Sequence, residues 1–313
     1  YDGTVSIVRH HDILLRSEYF IDTLRPEMAI TIGGTTSSKP LASLLANTPC
    51  VHISGSGRLQ DPWQSVEWTL RSDLEPLVES LGDQTSTASA EEWSTAWIDA
   101  NQTISKAIED TCLDHVWEGS VANTVVQSLP DKALLRLASS MPIRDVDSFA
   151  TNTEAKLVVS SNRGVNGIDG LISTSLGEAH EHQNPVAILS GDLSFLHDIG
   201  ALVTVPRPTV PVVFVIVDNG GGGIFGFLPM AKHETGFEEW FVTPHNQDIP
   251  SICKGFGIEV DSVHSLDDLR TCLANRMRSP GLHVIHVPID RKSSTLQHEK
   301  SFRTLTAVLE KSR

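Results

Sequence analysis

Two side chains with metal-binding oxygens follow two apolar segments in the second half of the chain. Asp192 comes after VAILSG and Asn219 after VVFVIVD, 219 − 192 = 27 positions apart. This separation fits one helix and one strand, which would bring both residues to the same edge of a parallel sheet. Carboxylate and amide oxygens are hard ligands suited to Mg²⁺ or Ca²⁺. The glycines at 220–223 would let backbone carbonyl and N–H groups approach a metal ion and a phosphate group.

Each of these features also has an ordinary explanation when taken alone. Asp192 is of a residue type that caps helices, and a glycine run is often a flexible loop. Found together, at this spacing and after two apolar segments, they favour a metal site that holds a diphosphate.

The elements that must position these residues are visible as apolar runs. In the second half these runs are 133–138, 157–160, 186–190, 212–217 and 283–287, with helical or loop stretches between them. Such alternation is typical of strands covered on both faces in a doubly wound α/β sheet, which binds ligands beyond the carboxyl ends of its strands.

The first half is less regular. Runs at 28–34 and 49–54 flank a helical stretch at 40–46, which predicts a second parallel sheet, and a connecting helix is predicted within 90–125. We place a domain boundary near residue 115 and predict domains at 1–115 and 116–313.

Composition limits the classes of partner. With 39 acidic and 24 basic residues the formal net charge is −15, which disfavours nucleic acid and anionic membranes, so a phosphorylated ligand must be bound locally. The four cysteines form no CxxC pair, which fits a reducing cytoplasm better than a zinc site. No apolar run approaches the ~20 residues of a membrane span. Because residue 1 is tyrosine, we expect that the chain belongs to a longer polypeptide.

Four blocks carry a more specific resemblance. They are SNRGVNGIDGLIST (161–174), GDLSFLHDIGAL (191–202), VDNGGGGIFGFLP (217–229) and TPHNQ (243–247). They resemble the thiamine-diphosphate-dependent 2-succinyl-5-enolpyruvyl-6-hydroxy-3-cyclohexene-1-carboxylate (SEPHCHC) synthases, the MenD family, which carry GDLS where related enzymes have GDGS. The similarity extends from Tyr1 to Arg313 and is weakest between residues 60 and 130. It implies a thiamine-diphosphate-binding fold made of a central-domain remnant and the diphosphate-binding domain.

The resemblance implies a cofactor site. Asp192, Asn219 and the carbonyl of Gly221 would bind Mg²⁺ or Mn²⁺, which clamps the diphosphate of thiamine diphosphate. Asp218 and Gly220 stand where many relatives have asparagine. Ile168 would be the apolar wedge that bends the cofactor, although a lone isoleucine ordinarily packs in a core. The remaining cofactor-binding residues implied by the family are Leu193, Ser194 and Ile224.

A second set of residues is implied to contact the substrates. Arg144 and Arg163 would face carboxylates of 2-oxoglutarate and isochorismate, for which a planar guanidinium is well suited. Taken alone, an arginine at either position is more often a surface or salt-bridge residue. Ser140, Phe225 and Leu228 match residues near the reacting centre. Lys39 matches a lysine that approaches isochorismate, but Pro40 replaces the family's adjacent arginine, so a solvated lysine is the alternative.

The implied reaction, a step of menaquinone biosynthesis, is decarboxylation of 2-oxoglutarate followed by addition of the succinyl carbanion equivalent to isochorismate. In this family the activating glutamate lies in a pyrimidine-binding domain that precedes the matched portion, so we assign no catalytic glutamate. The family pairs that domain with the diphosphate domain of another subunit, which implies a homodimer or homotetramer.

Three alternatives differ in class. One is another thiamine-diphosphate decarboxylase or carboligase of the acetolactate synthase type, and one is a non-catalytic cofactor-binding subunit. A Rossmann-type oxidoreductase is disfavoured because the glycine run follows a later strand and no GxGxxG opens a helix.

Overall fold

The computed structural model describes residues 7–81, 88–162, 167–203, 208–233 and 235–311. The chain divides into two compact units, Tyr1–Ala107 with Phe302–Arg313, and Ile108–Ser301. The domain assignment made from the sequence, 1–115 and 116–313, stays a prediction.

The first unit contains a small parallel sheet and several helices. Its elements are α1 (His11–Leu14), α2 (Glu18–Leu24), β1 (Ala29–Ile32), α3 (Lys39–Ala46), β2 (Cys50–Ile53), β3 (Val66–Leu70) and α4 (Leu74–Leu81). The sheet order is β1-β2-β3, with β1 aligned on β2 from Ala29↔Cys50 to Ile32↔Ile53. The predicted strand, helix and strand are therefore confirmed, whereas β3 was not predicted.

Helix α3 begins where its sequence provides both a cap and a favourable first turn. The Ser38 hydroxyl accepts a hydrogen bond from the N–H of Leu41, and Pro40 lies in the first turn, where its missing N–H needs no partner. Ser38 also donates to Asp12 at 2.7 Å, so the helix start is tied to α1.

A long helix, α5 (Ala88–Thr111), follows in the chain. The second unit then contains α6 (Glu118–Ser128), β4 (Leu134–Leu137), α7 (Met141–Phe149), β5 (Val158–Ser161), α8 (Leu171–His182), β6 (Val186–Gly191), α9 (Asp192–His197), β7 (Pro211–Asp218), α10 (Ile249–Gly255), β8 (Val260–Ser262), α11 (Leu266–Arg276), β9 (Gly281–Pro288) and the first part of α12 (Arg291–Lys311), which from Phe302 onward belongs to the first unit. Short 3-10 helices at Ile199–Val203, Gly223–Phe227 and Pro229–Lys232, and a π-helical turn at Glu238–Val242, lie between these elements.

The sheet of the second unit has the order β5-β4-β6-β7-β9-β8, and its neighbouring strands are parallel. All five apolar runs predicted there are strands. The edge strand β8 escaped prediction because its sequence, VDS, is short and polar.

Helices cover both faces of this sheet, as the continuous apolar runs predict. Along β7, Val213, Val215 and Val217 pack in one core cluster together with residues of α6 and α11. The alternate residues Val212, Phe214 and Ile216 pack in a second cluster with residues of α8, α9 and α10. Each fully buried side chain of this kind contributes about 1.5–3 kcal/mol. The doubly wound α/β fold is confirmed.

Within the described residues, none of the helices combines the length and the apolar character that crossing a membrane requires.

Candidate active site

Asp192 lies where two central strands of the second unit end side by side. The register pairs Gly191 of β6 with Val217 of β7, so the residues that follow these strands are neighbours. The buried Asp192 carboxylate accepts from its neighbour Leu193 N–H at 2.6 Å and from Gly221 N–H at 2.9 Å. Asp192 is the first residue of α9, whose N-cap is Gly191. The carboxylate therefore joins the strand end to the glycine loop instead of capping the helix.

Asn219 presents a buried oxygen to the same place. Its Nδ2 donates to Glu118 Oε1 at 2.7 Å, whereas Oδ1 is buried and has no hydrogen-bond partner in the described part of the chain. A buried polar atom without a partner costs about 1–3 kcal/mol. An amide oxygen beside a buried carboxylate fits a hard divalent cation, so these residues suit the ion that the sequence implies.

The glycine loop requires glycine for two reasons. Gly220 and Gly221 have φ angles of +76° and +147°, which L-residues rarely adopt. A Cβ built on Gly221 would also lie 2.4 Å from the carbonyl oxygen of Val242. That carbonyl accepts from Gly222 N–H at 2.7 Å, so the loop is packed tightly against the π-helical turn.

We therefore expect Gly221→Ala to lower the free energy of unfolding by about 1–3 kcal/mol, because it forces strain on the backbone. Urea unfolding measures the change. The matched control is Gly177→Ala inside α8, where a Cβ meets nothing within 4 Å, and a gain of about 0.5–1 kcal/mol is expected. Equal stability of Gly221→Ala and the unaltered chain would show that the loop does not need glycine there.

Two histidines surround the carboxylates at the strand ends. Ligand atoms of Asp192, Asp218 and His245 all lie within 4.8 Å of one another. His245 Nε2 is 3.2 Å from Asp192 Oδ2, and Asp218 Oδ2 is 2.8 Å from His286 Nε2. Neither histidine is among the residues predicted from the sequence, although His245 belongs to the TPHNQ block.

The two carboxylates have different environments. Burial raises the pKa of Asp192 to about 6. Burial acts in the same direction on Asp218, but the interactions with His286, Asp192 and the Gly220 N–H together outweigh it and hold the pKa of Asp218 below its ordinary value. Asp218 Oδ2 is already hydrogen-bonded to His286. Among the described residues that follow β7, the buried oxygen without a hydrogen-bond partner is therefore Oδ1 of Asn219.

A cavity of about 210 Å³ opens beside these groups. Its lining includes nine of the residues predicted from the sequence, namely Ser140, Ile168, Asp192, Leu193, Ser194, Asn219, Gly221, Ile224 and Phe225. Two acidic residues that were not predicted, Glu118 and Asp145, also line it. The structure thus brings to one cavity the residues that the resemblance implies as the wedge, as metal ligands and as part of the substrate set.

The other predicted residues are placed differently. Arg144 donates to the carbonyl of Ser140 at 2.5 Å, and neither Arg144 nor Leu228 lines the cavity. Lys39 is the first residue of α3 in the first unit. Arg163 lies outside the described residues.

Ser140 has an unusual backbone. It precedes α7 with φ +77° and ψ −129°, a conformation that is strained for a residue with a Cβ. Strain of this kind tends to persist at functional sites, and here it places Ser140 at the cavity.

Comparisons with known proteins agree with this geometry. Residues 157–287 match the family described as thiamine pyrophosphate enzyme, C-terminal TPP binding domain. Three relatives named 2-succinyl-5-enolpyruvyl-6-hydroxy-3-cyclohexene-1-carboxylate synthase are each 33% identical. They come from Bacillus cytotoxicus (299 residues, 94% of this chain and 51% of the relative), Myxococcus xanthus (317 residues, 99% and 53%) and Haloarcula marismortui (276 residues, 86% and 46%). The chain spans about half the length of the curated relatives it matches.

Proposed function

We propose a function from the premise that this chain, over nearly its whole length, resembles a portion of the thiamine-diphosphate-dependent SEPHCHC synthases. It acts as the part of such an enzyme that binds the diphosphate of the cofactor. The full reaction decarboxylates 2-oxoglutarate and adds the succinyl unit to isochorismate, as a step of menaquinone biosynthesis. The observation that carries the proposal is the buried, unpartnered Oδ1 of Asn219 beside the buried carboxylate of Asp192.

The metal ion in this proposal is Mg²⁺ or Mn²⁺. Asp192, Asn219 and the carbonyl of Gly221 hold it, and oxygen ligands of these kinds suit both ions. The chain has a net charge of −15, which repels an anionic diphosphate. The positive charge of the ion offsets this repulsion at the strand edge. The bound cofactor supplies the electron sink for decarboxylation.

Residues of this chain surround the cofactor in the proposal. Ile168 and Ile224 line the cavity and provide its apolar side. Leu193 and Ser194 are the second and third residues of α9, after Asp192, and would lie beside the diphosphate.

The proposed substrate contacts are two arginines together with polar and apolar residues. Ser140 lies at the cavity with Phe225, and Arg144 is held one helical turn away by its bond to the Ser140 carbonyl. Arg144 and Arg163 bind carboxylates of 2-oxoglutarate and isochorismate. Leu228 and Lys39 complete the proposed set on the basis of the family resemblance.

Arg163→Ala should weaken use of the dicarboxylate substrates and leave cofactor binding intact. A lost charge-assisted hydrogen bond of about 1.5–3 kcal/mol lowers kcat/KM by roughly 10- to 150-fold. Steady-state kinetics with the pyrimidine-binding domain present, together with calorimetry of cofactor binding, separate the two effects. Arg270→Ala, which alters an exposed arginine of α11, is the control and should change neither. An equal loss of thiamine diphosphate affinity in Arg163→Ala would move this residue to a structural role.

The assembly and its location follow from the same proposal. The active enzyme is a homodimer or homotetramer in which a pyrimidine-binding domain faces this one, and it works in the cytoplasm. Sedimentation of the complete enzyme with bound cofactor tests the assembly, and a monomer with full activity would refute it.

A further inference from the structure

Beneath Asn219, three helices of the second unit bring together a buried polar cluster. Glu118 begins α6, Asp145 lies in α7, and Ser294 and His298 lie in α12. Each of these four residues is at most 6% exposed. None of the four is among the site residues predicted from the sequence.

Both oxygens of Glu118 are engaged. Oε1 accepts from Asn219 Nδ2 at 2.7 Å, and Oε2 accepts from the hydroxyl of Ser294. His298 lies behind them, with Nδ1 3.5 Å from Glu118 Oε2 and Nε2 2.8 Å from Asp145 Oδ1. Because partners hold it on two sides, the carboxyl group has one fixed orientation.

We propose that Glu118 is a positioning residue that fixes the side-chain amide of Asn219 so that Oδ1, and not Nδ2, faces the metal ion. This inference rests on the proposed function, since it assumes that Asn219 is a ligand. An asparagine amide has a donor end and an acceptor end, and a half-turn exchanges them. Only the oxygen can bind a cation, so a partner that holds the nitrogen selects the binding orientation.

The surroundings of Nδ2 leave room for the amide. A Cβ built on Gly223 would lie 2.4 Å from Asn219 Nδ2, so the glycine leaves the space that the amide nitrogen occupies. Burial raises the pKa of Glu118, but Oε1 can accept from the amide whether or not Oε2 carries a proton. The orienting hydrogen bond therefore does not depend on the protonation state of Glu118.

The test is the affinity of the 313-residue chain for Mn²⁺ in the presence of thiamine diphosphate, measured by electron paramagnetic resonance. Glu118→Ala removes the acceptor for Nδ2, so we expect affinity to fall by about tenfold or more, as is usual when a partner of a metal ligand is lost. Glu118→Gln retains an acceptor oxygen and should stay within about threefold of the unaltered chain.

Two further variants separate orientation from general damage. Val121→Ala empties a buried site on the same helix without touching Asn219, so it should destabilise the chain but leave Mn²⁺ affinity unchanged. Asn219→Ala removes the proposed ligand and should abolish binding.

Each outcome decides a different question. If Asn219→Ala loses affinity while Glu118→Ala does not, this inference fails and the proposed metal site stands. If Glu118→Gln falls as far as Glu118→Ala, the charge and not the hydrogen bond matters, which also overturns it. A loss in Val121→Ala equal to that in Glu118→Ala would reduce Glu118 to a structural role. Unchanged affinity in Asn219→Ala, or no Mn²⁺ binding by the unaltered chain, would refute the metal site of the proposed function itself.

Discussion

Replacing Asp192 with alanine should abolish Mg²⁺-dependent binding of thiamine diphosphate. The carboxylate is buried at the end of β6, and it accepts a hydrogen bond from Gly221 N–H at 2.9 Å. Alanine removes both the proposed anionic ligand and the acceptor that holds the glycine loop. On a chain with a net charge of −15, a diphosphate without its bridging cation meets unfavourable electrostatics.

Calorimetric titration with thiamine diphosphate, with and without Mg²⁺, measures the effect. The matched control is Asp267→Ala, which alters a carboxylate that is 92% exposed and should leave cofactor affinity unchanged. Thermal unfolding of both variants shows whether Asp192→Ala still folds. Cofactor affinity equal to that of the unaltered chain would exclude Asp192 as a metal ligand.

Most of the fold could be predicted because apolar periodicity reports burial directly. The runs that became β6 and β7 are buried on both faces, and short continuous apolar runs of this kind are typical of central parallel strands. Strand β8 and strand β3 were missed for the opposite reason. VDS and VEWTL carry polar residues, since these edge strands are only partly covered.

The site residues that could be predicted from the sequence are those of a metal-binding type that directly follow a predicted strand. Asp192 and Asn219 follow adjacent strands, so the sheet brings them together without any knowledge of side-chain packing. Whether Asp218 or Asn219 has an oxygen available for a metal ion could not be predicted from chain position. It depends on His286, which lies in β9 and forms a hydrogen bond with Asp218. Only the register of a non-consecutive strand reveals that contact.

Glu118 and His298 show a further limit of sequence reasoning. They lie 180 positions apart (298 − 118 = 180), and each would ordinarily be read as a residue on the polar face of a helix. Their burial results from the packing of α6 and α12 beneath the strand edge. No pattern of neighbouring residues in the sequence indicates such a contact. The glycine run and the GDLS block, in contrast, can be recognised from a few consecutive residues.

The 313-residue chain alone should show no synthase activity, and activity should appear when a pyrimidine-binding domain of this family is joined to it or supplied in trans. The resemblance implies that this domain provides the activating glutamate. Among the described cavity-lining residues the glutamate is Glu118, and both its oxygens are engaged by Asn219 and Ser294. It is therefore not free to act on the aminopyrimidine ring of the cofactor.

The assay follows isochorismate consumption in the presence of 2-oxoglutarate, Mg²⁺ and thiamine diphosphate. The part of the Bacillus cytotoxicus relative that lies outside the matched 51% is one source of the added domain. The same assembly carrying Asp192→Ala is the control and should be inactive, because its activity depends on the metal site of this chain. Turnover by the chain alone would mean that the activating group resides in these 313 residues. Cofactor binding with no turnover in any assembly would instead favour a non-catalytic cofactor-binding subunit.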